Sequence, residues 1–308
     1  MGFGRWSPDD WTSYSTVHVK SARTVDDIYK TRTLVDELNP KGVKMRESCD
    51  SDINPNSTAL IVALDVTGSM GIVLDTIARQ GLSTLATEIY NRKPISDPHI
   101  MFMGIGDVHA RDEAPLQVTQ FEADIRIAEQ LTKIYLERGG GGNNYESYAL
   151  AWYFAAMHTR IDCFEKRGKK GYLFTIGDEE PTPYLEADDI ERVLGYRPQQ
   201  ERFSTIDLLT MASRYYEVYH IMVEEGSHYR MHSSDVVREW TNILGQNAIK
   251  LSDHTKIAEV IVSTIQVAEG ANSADVAKSW DGSTNIVVAK AISGLSKVNT
   301  SDSGIVTF

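Results

Sequence analysis

Cysteine is nearly missing from this 308-residue chain: Cys49 and Cys163 are the whole complement, too few and too far apart for a disulfide framework. A chain of this length holds a core without disulfides or zinc, since folding buries about 70–75% of its unfolded surface. Proline is sparse at 9 residues, and glycine at 22 is ordinary, which excludes fibrous and Pro/Gly-rich disordered classes. No apolar run approaches the ~20 residues that span a bilayer. The opening MGFGRWSPDD has no apolar leader segment, and Trp6 stands where a myristoylation signal wants Ser or Thr. Basic residues are in deficit, 31 against 43 acidic, for a net charge of −12 and a pI near 5.1. That field repels phosphate backbones and argues against general nucleic-acid binding. The single basic run, Glu165-Lys166-Arg167-Gly168-Lys169-Lys170, reads as a solvated helix end leading into a strand. The expectation is a soluble cytoplasmic protein with free thiols and with neither nucleic acid nor membrane as a partner.

What the chain does contain is an alternation of strand and helix patterns. Residues 58–64 (TALIVAL) form an unbroken apolar run, the mark of a strand covered on both faces. A helix is predicted over 72–90, with apolar positions Ile77, Leu82, Leu85 and Ile89 on one side. Strands are predicted at 99–105, 116–121, 171–176, 217–223 and 247–251. Helices are predicted at 124–137, 145–159, 186–194, 205–214, 234–244 and 255–269. This order predicts an α/β fold: a doubly wound, mostly parallel sheet with right-handed crossovers and helices on both faces. Residues 1–56 read as an extension packed on the core through Trp6, Trp11 and Tyr14, with helical spacing over 24–38. Residues 57–270 form the main domain, and 271–308 a tail with one or two short helices.

Ligands of open α/β sheets bind beyond the carboxyl ends of the strands, near the point where strand order reverses. Two loops rich in acids and hydroxyls fall at such ends: Asp65-Val66-Thr67-Gly68-Ser69 and Gly177-Asp178. A third, 139–144, opens a helix and would face the same edge. Hydroxyl, carboxylate and amide oxygens are hard donors that suit a partly hydrated Mg²⁺ or Mn²⁺, with Ca²⁺ also admissible. Without Cys or His among them, zinc fits poorly.

On these three loops the chain resembles the von Willebrand factor A domains, whose metal-ion-dependent adhesion site begins with Asp-x-Ser/Thr-x-Ser after the first strand. Asp65-Val66-Thr67-Gly68-Ser69-Met70 resembles the DxTGSM form of intracellular bacterial members. Gly140-Gly141-Gly142-Asn143-Asn144 occupies the place of the second ligand loop, and Phe174-Thr175-Ile176-Gly177-Asp178 that of the third. The resemblance covers about 57–270 and implies a metal held by Asp65, Thr67, Ser69, Asn143 and Asp178. Thr67 and Ser69 would coordinate directly, and Asp65 and Asp178 directly or through water. Asn143 stands where the family uses Thr or Asp, with Asn144 as the alternative register. The resemblance further implies a non-enzymatic module whose cation takes an Asp or Glu carboxylate from a partner protein. MoxR-type AAA+ ATPases and bacterial or phage stress and conflict systems are the settings it suggests.

Each motif also has a plainer reading. Thr67, Gly68 and Ser69 could cap the following helix, Asn143 and Asn144 could form a turn, and Glu146 would face solvent near a helix N-terminus. The glycine run lacks the Gly-Lys-Ser/Thr ending of a P-loop. Asp65-Val66-Thr67 resembles the nucleophile loop of haloacid-dehalogenase-like phosphatases but has Thr67 where their second acid belongs. Gly106-Asp107-Val108-His109 resembles one fragment of a metallophosphoesterase centre, and the rest of that centre does not follow in order. His228 and His232 are four apart in what reads as a loop. A metal-dependent phosphohydrolase or nucleotide-binding protein is therefore the alternative function, and it lacks a general base.

Overall fold

The apolar run that begins at Thr58 becomes β1 (Thr58–Asp65), all of whose residues are buried. Alternate side chains serve two cores. Leu60, Val62 and Leu64 pack on one face, and Ala59, Ile61 and Ala63 on the other, as a strand covered on both sides requires. The structure is a computed structural model that describes residues 4–110, 112–137 and 142–296, the Ser69 side chain excepted. The glycines at 139–141, the Ser69 hydroxyl and the tail beyond 296, all named above, lie outside the described residues.

Five further strands join β1: β2 (Pro98–Ile105), β3 (Leu116–Val118), β4 (Gly171–Gly177), β5 (Tyr216–Val223) and β6 (Ala248–Leu251). The six-stranded sheet runs β6-β5-β4-β1-β2-β3. All neighbours are parallel except β3, which runs antiparallel to β2 at the edge. The chain thus builds outward from β1 in one direction and returns to build outward from β4 in the other. This is a doubly wound α/β sheet, and its switch point lies between the carboxyl ends of β1 and β4.

One face carries α1 (Pro8–His18), α2 (Gly71–Thr76), α3 (Leu82–Arg92) and α4 (Arg126–Leu131), whose apolar residues enter a common core. A π turn at Ile77–Gly81 makes α2 and α3 one continuous element. The other face carries α5 (Tyr148–Met157), α6 (Asp162–Arg167), α7 (Ala187–Leu194), α8 (Thr205–Ser213) and α9 (Ser227–Leu244). Helix α5 is apolar on every side, and Tyr148 to Ala155 are all buried, the expected fate of a helix without a polar face. Helices α10 (Ile257–Ala268), α11 (Ser273–Lys278) and α12 (Gly282–Ile292) return to the first face. Among the described residues no helix is long and apolar enough to cross a membrane.

Several predicted boundaries move, each for a tertiary reason. The helix predicted from 145 starts at Tyr148, because Tyr145–Glu146 pairs as a short parallel strand with Glu180–Pro181. The helical spacing over 24–38 yields only the turn Val25–Ile28. There the chain breaks off to bury Tyr29, whose hydroxyl donates to the Leu74 carbonyl at 3.1 Å. The helix predicted over 124–137 is confined to α4. Helix α9 starts at Ser227 and not at 234, so His228 and His232 are helical neighbours with stacked rings 4.6 Å apart. His232 marks a kink, with φ −125° and ψ 23°.

The N-terminal aromatics Trp6, Trp11 and Tyr14 lie on the first core. Trp6 and Trp11 ring centres are 5.8 Å apart. The Trp6 backbone N–H donates to the Tyr90 hydroxyl at 3.3 Å, and the Tyr14 hydroxyl to the Ala128 carbonyl at 3.2 Å. The basic run is spent on internal pairs: Lys166 with Asp50 and Asp162, Arg167 with Asp50, Lys169 with Glu269 and Lys170 with Glu217.

Candidate metal centre

Asp65 is the last residue of β1, and Asp178 directly follows β4; both are 0% exposed. The parallel register that pairs Leu64 with Ile176 carries the two carboxylates to the switch point side by side. Asp65 Oδ1 accepts from the Thr67 backbone N–H at 2.8 Å and from Thr67 Oγ1 at 2.6 Å. This turn commits the Thr67 proton to Asp65, so the hydroxyl oxygen meets any further partner as an acceptor. The Tyr148 hydroxyl reaches Asp65 Oδ2 at 3.4 Å.

Asp178 is held from the opposite side by the start of α9. Its Oδ2 accepts the His228 backbone N–H at 2.9 Å, a position where helix geometry favours an anion. Two glycines make these approaches feasible. A Cβ on Gly226 would lie 2.2 Å from Asp178 Oδ2, and one on Gly177 would lie 1.9 Å from the Tyr148 hydroxyl.

Further acids crowd the same place. Burial and the facing Asp178 push the Asp65 carboxyl up to about 7. Burial, Asp65 and Asp178 push Glu179 up to about 8. Glu146 is 2% exposed, and burial followed by Asp65, Glu179, Asp107 and Asp112 pushes it up to about 12. Burial and the surrounding carboxylates also drive the Tyr148 phenol well above its usual value. Concentrated negative charge in a low-dielectric pocket, with hydroxyl and carboxylate oxygens turned inward, is an environment that a hard cation relieves.

Asp65, Thr67 and Asp178 therefore converge as the loop motifs predict. Asn143 points elsewhere: its Nδ2 donates to Asp107 Oδ2 at 2.5 Å, and its Oδ1 accepts the Tyr145 N–H at 3.2 Å. Asp107 knits the neighbouring loops, accepting also from the His109 and Ala110 N–H groups and from Ser147 Oγ. Asn144, the other register, uses its carbonyl to accept the Glu180 N–H at 3.2 Å. Sequence reasoning passed over Glu146, Glu179, Tyr148 and Gly226. The expectation that Glu146 faces solvent is corrected. The strand it shares with Glu180–Pro181 and the all-apolar helix that follows draw it inside.

Two of the three histidines weighed above, His109 and His228, are engaged with acids. His109 Nε2 lies 3.1 Å from Asp189, which holds the imidazole above its usual value against the opposing effect of burial. His228 Nε2 lies 2.8 Å from Glu180. Among the described residues, the one trio of His, Cys, Asp or Glu ligand atoms within 4.8 Å of one another is Glu225, Asp253 and His254. No three of the acids at the switch point come that close together, so they do not all contact one ion directly as they stand. A cleft of about 280 Å³ beside Thr67 and Gly68 is bordered by Val66, Gly71, Leu74, Leu136 and, from the N-terminal segment, Val25 and Asp26.

No family model and no curated protein matches the sequence. Among solved structures, the chain is similar to the pilus adhesin SpaC from Lactobacillus rhamnosus GG in its open conformation. That likeness has 12% identity and a TM-score of 0.48, over 73% of this chain and 31% of that one. Another structure of the same adhesin gives 9% identity and a TM-score of 0.45, over 74% and 32%. A von Willebrand factor type A protein from Catenulispora acidiphila gives 12% identity and a TM-score of 0.39, over 70% and 44%. The chain thus spans less than half the length of each. Likeness at this level carries no functional weight, and the fold class follows from the strand order itself.

Proposed function

We propose that the chain is a non-enzymatic protein-binding module whose grip depends on a divalent cation at the switch point. Mg²⁺ or Mn²⁺ is held by Asp65, Thr67 and Asp178, with Ser69 of the same loop as the motif resemblance implies. When bound, the cation supplies an electrophilic coordination position for an Asp or Glu carboxylate of a partner protein. The chain's own residues orient and exclude: Thr67 and Tyr148 fix Asp65, the start of α9 fixes Asp178, and the two cores keep bulk water from the carboxylates. The observation that carries this reading is the pairing of two fully buried aspartates across adjacent central strands. Such a pair is costly for the protein alone.

The binding reading is preferred to a metal-dependent phosphohydrolase on the loop motifs; His109 and His228 lie against Asp189 and Glu180, and these pairs do not decide between the two. The MoxR-type AAA+ partner, the bacterial or phage stress or conflict setting and the cytoplasmic location belong to the same proposal and rest on the loop motifs alone. The test is thermal melting of wild type and Asp178→Ala in EDTA and in Mn²⁺. At 100 times its dissociation constant a cation stabilises by about 2.7 kcal/mol, a rise of a few degrees. The rise is expected in wild type only. Superimposable wild-type curves with and without metal would sink the reading.

A further inference from the structure

The side chain of Glu146 has a peculiarity that the loop motif does not account for. It is 2% exposed, and its Oε2 is buried without a hydrogen-bond partner. An acceptor in that condition loses its water and gains nothing in return, a loss that native structures almost always avoid. The backbone leaves the side chain little choice of place, because Tyr145–Glu146 is pinned in register to Glu180–Pro181 and followed at once by the fully buried start of α5. The charged groups that act on it are acids, Asp65 foremost and then Glu179 and Asp107. Asn143, the residue at the motif's position, has its amide engaged at both ends, Nδ2 with Asp107 of a neighbouring loop and Oδ1 with the Tyr145 N–H.

We propose that Glu146 is the donor which the second loop contributes to the cation's shell, directly or through one water, and that Asn143 is a strut that holds Asp107 and Tyr145 in place. The inference rests on the metal-site reading above and deepens it. A carboxylate in place of the neutral amide of Asn143 would add a formal negative charge to the shell. It would raise cation affinity and make the bound ion a weaker electrophile toward the partner's acid.

The test is calorimetric titration of Mn²⁺ into wild type, Asp65→Asn, Glu146→Gln and Glu179→Gln, with metal-free melting curves to confirm folding. Glu179→Gln removes an equal charge from the same cluster, at a side chain that reaches partly to solvent, and so measures the field effect alone. The expected result is loss of binding in Asp65→Asn and at least tenfold weaker binding in Glu146→Gln, with a clearly smaller drop in Glu179→Gln. Loss in Asp65→Asn with Glu146→Gln equal to wild type or to Glu179→Gln overturns the Glu146 assignment and leaves the site reading standing. Wild-type affinity in Asp65→Asn, or no Mn²⁺ binding by wild type, overturns the site reading and this inference with it.

Discussion

Replacing Asp65 with asparagine should make the metal-free protein more stable, against the usual result of altering a fully buried polar residue. The exchange keeps the Oδ1 acceptor used by Thr67 and removes one of two facing negative charges. The sign follows from linkage. The Asp65 carboxyl is raised in the folded state from 3.8 to about 7, by burial first and by Asp178 second. A group raised on folding contributes stability that is full below its unfolded value and is lost as pH climbs through its folded value. At pH 8 the metal-free wild type has therefore forgone roughly 4 kcal/mol that the neutral variant keeps. Urea denaturation in EDTA at pH 8 should place Asp65→Asn above wild type by an amount of that order, and the gap should shrink toward pH 4. Cation should then close the gap from the other side, because wild type gains about 2.7 kcal/mol at 100 times its dissociation constant and about 4.1 at 1,000 times. The variant should not respond. If Asp65 is only a loop-building or capping residue, its loss costs about 1 kcal/mol with or without metal. An Asp65→Asn protein less stable than wild type in EDTA at pH 8, or a gap indifferent to Mg²⁺, would refute the reasoning.

Two other outcomes are expected. Gly226→Ala should destabilise by about 1–3 kcal/mol and weaken Mn²⁺ binding measured by calorimetry, since its Cβ would lie 2.2 Å from Asp178 Oδ2; unchanged affinity would show that the start of α9 does not set the position of that ligand. Burial holds the His99 imidazole down to about 4 from 6.5, so its contribution is present above pH 6.5 and is lost by roughly 3 kcal/mol as pH falls to 4. Urea midpoints of His99→Gln should decline less over that interval than those of wild type, and equal declines would remove His99 from the acid response.

The parts of the site that the sequence made legible are those in which chemistry and local backbone coincide. Asp65-Val66-Thr67 closes its own turn, so its meaning survives without knowledge of the rest of the molecule. Asp178 follows an apolar run whose end is plain, and the parallel order of strands and helices places both residues at one edge. Glu146 was hidden because its burial comes from partners far along the chain, the segment Glu180–Pro181 and the sheet under α5. Local rules therefore assigned it the ordinary fate of an acid near a helix start. Gly226 was hidden for a similar reason, as its lack of a side chain matters only because Asp178 lies against it. Asn143 shows what the motif alone leaves out: its amide ties two loops together.

The treatment of acids elsewhere in the molecule sharpens the argument for a cation. Asp50 also sits in a partly desolvated place, yet hydrogen bonds from Arg167 and Ser57 outweigh burial and hold its carboxyl well below the usual range. Asp162 has Lys166 at 2.7 Å, and Glu122 has Arg126 at 3.0 Å. In these three places a basic group stands alongside the acid. At the switch point Asp65, Glu146 and Glu179 are instead shifted upward, by burial first and by neighbouring acids second. A cluster of buried acids is a local conflict of the kind that functional sites keep. In the proposed reading, a divalent cation would resolve that conflict. The N-terminal segment adds a constraint on what binds next. Val25 and Asp26 border the cleft beside Thr67, so in the proposed reading a partner's acid reaching that side would pass a wall that itself carries a carboxylate.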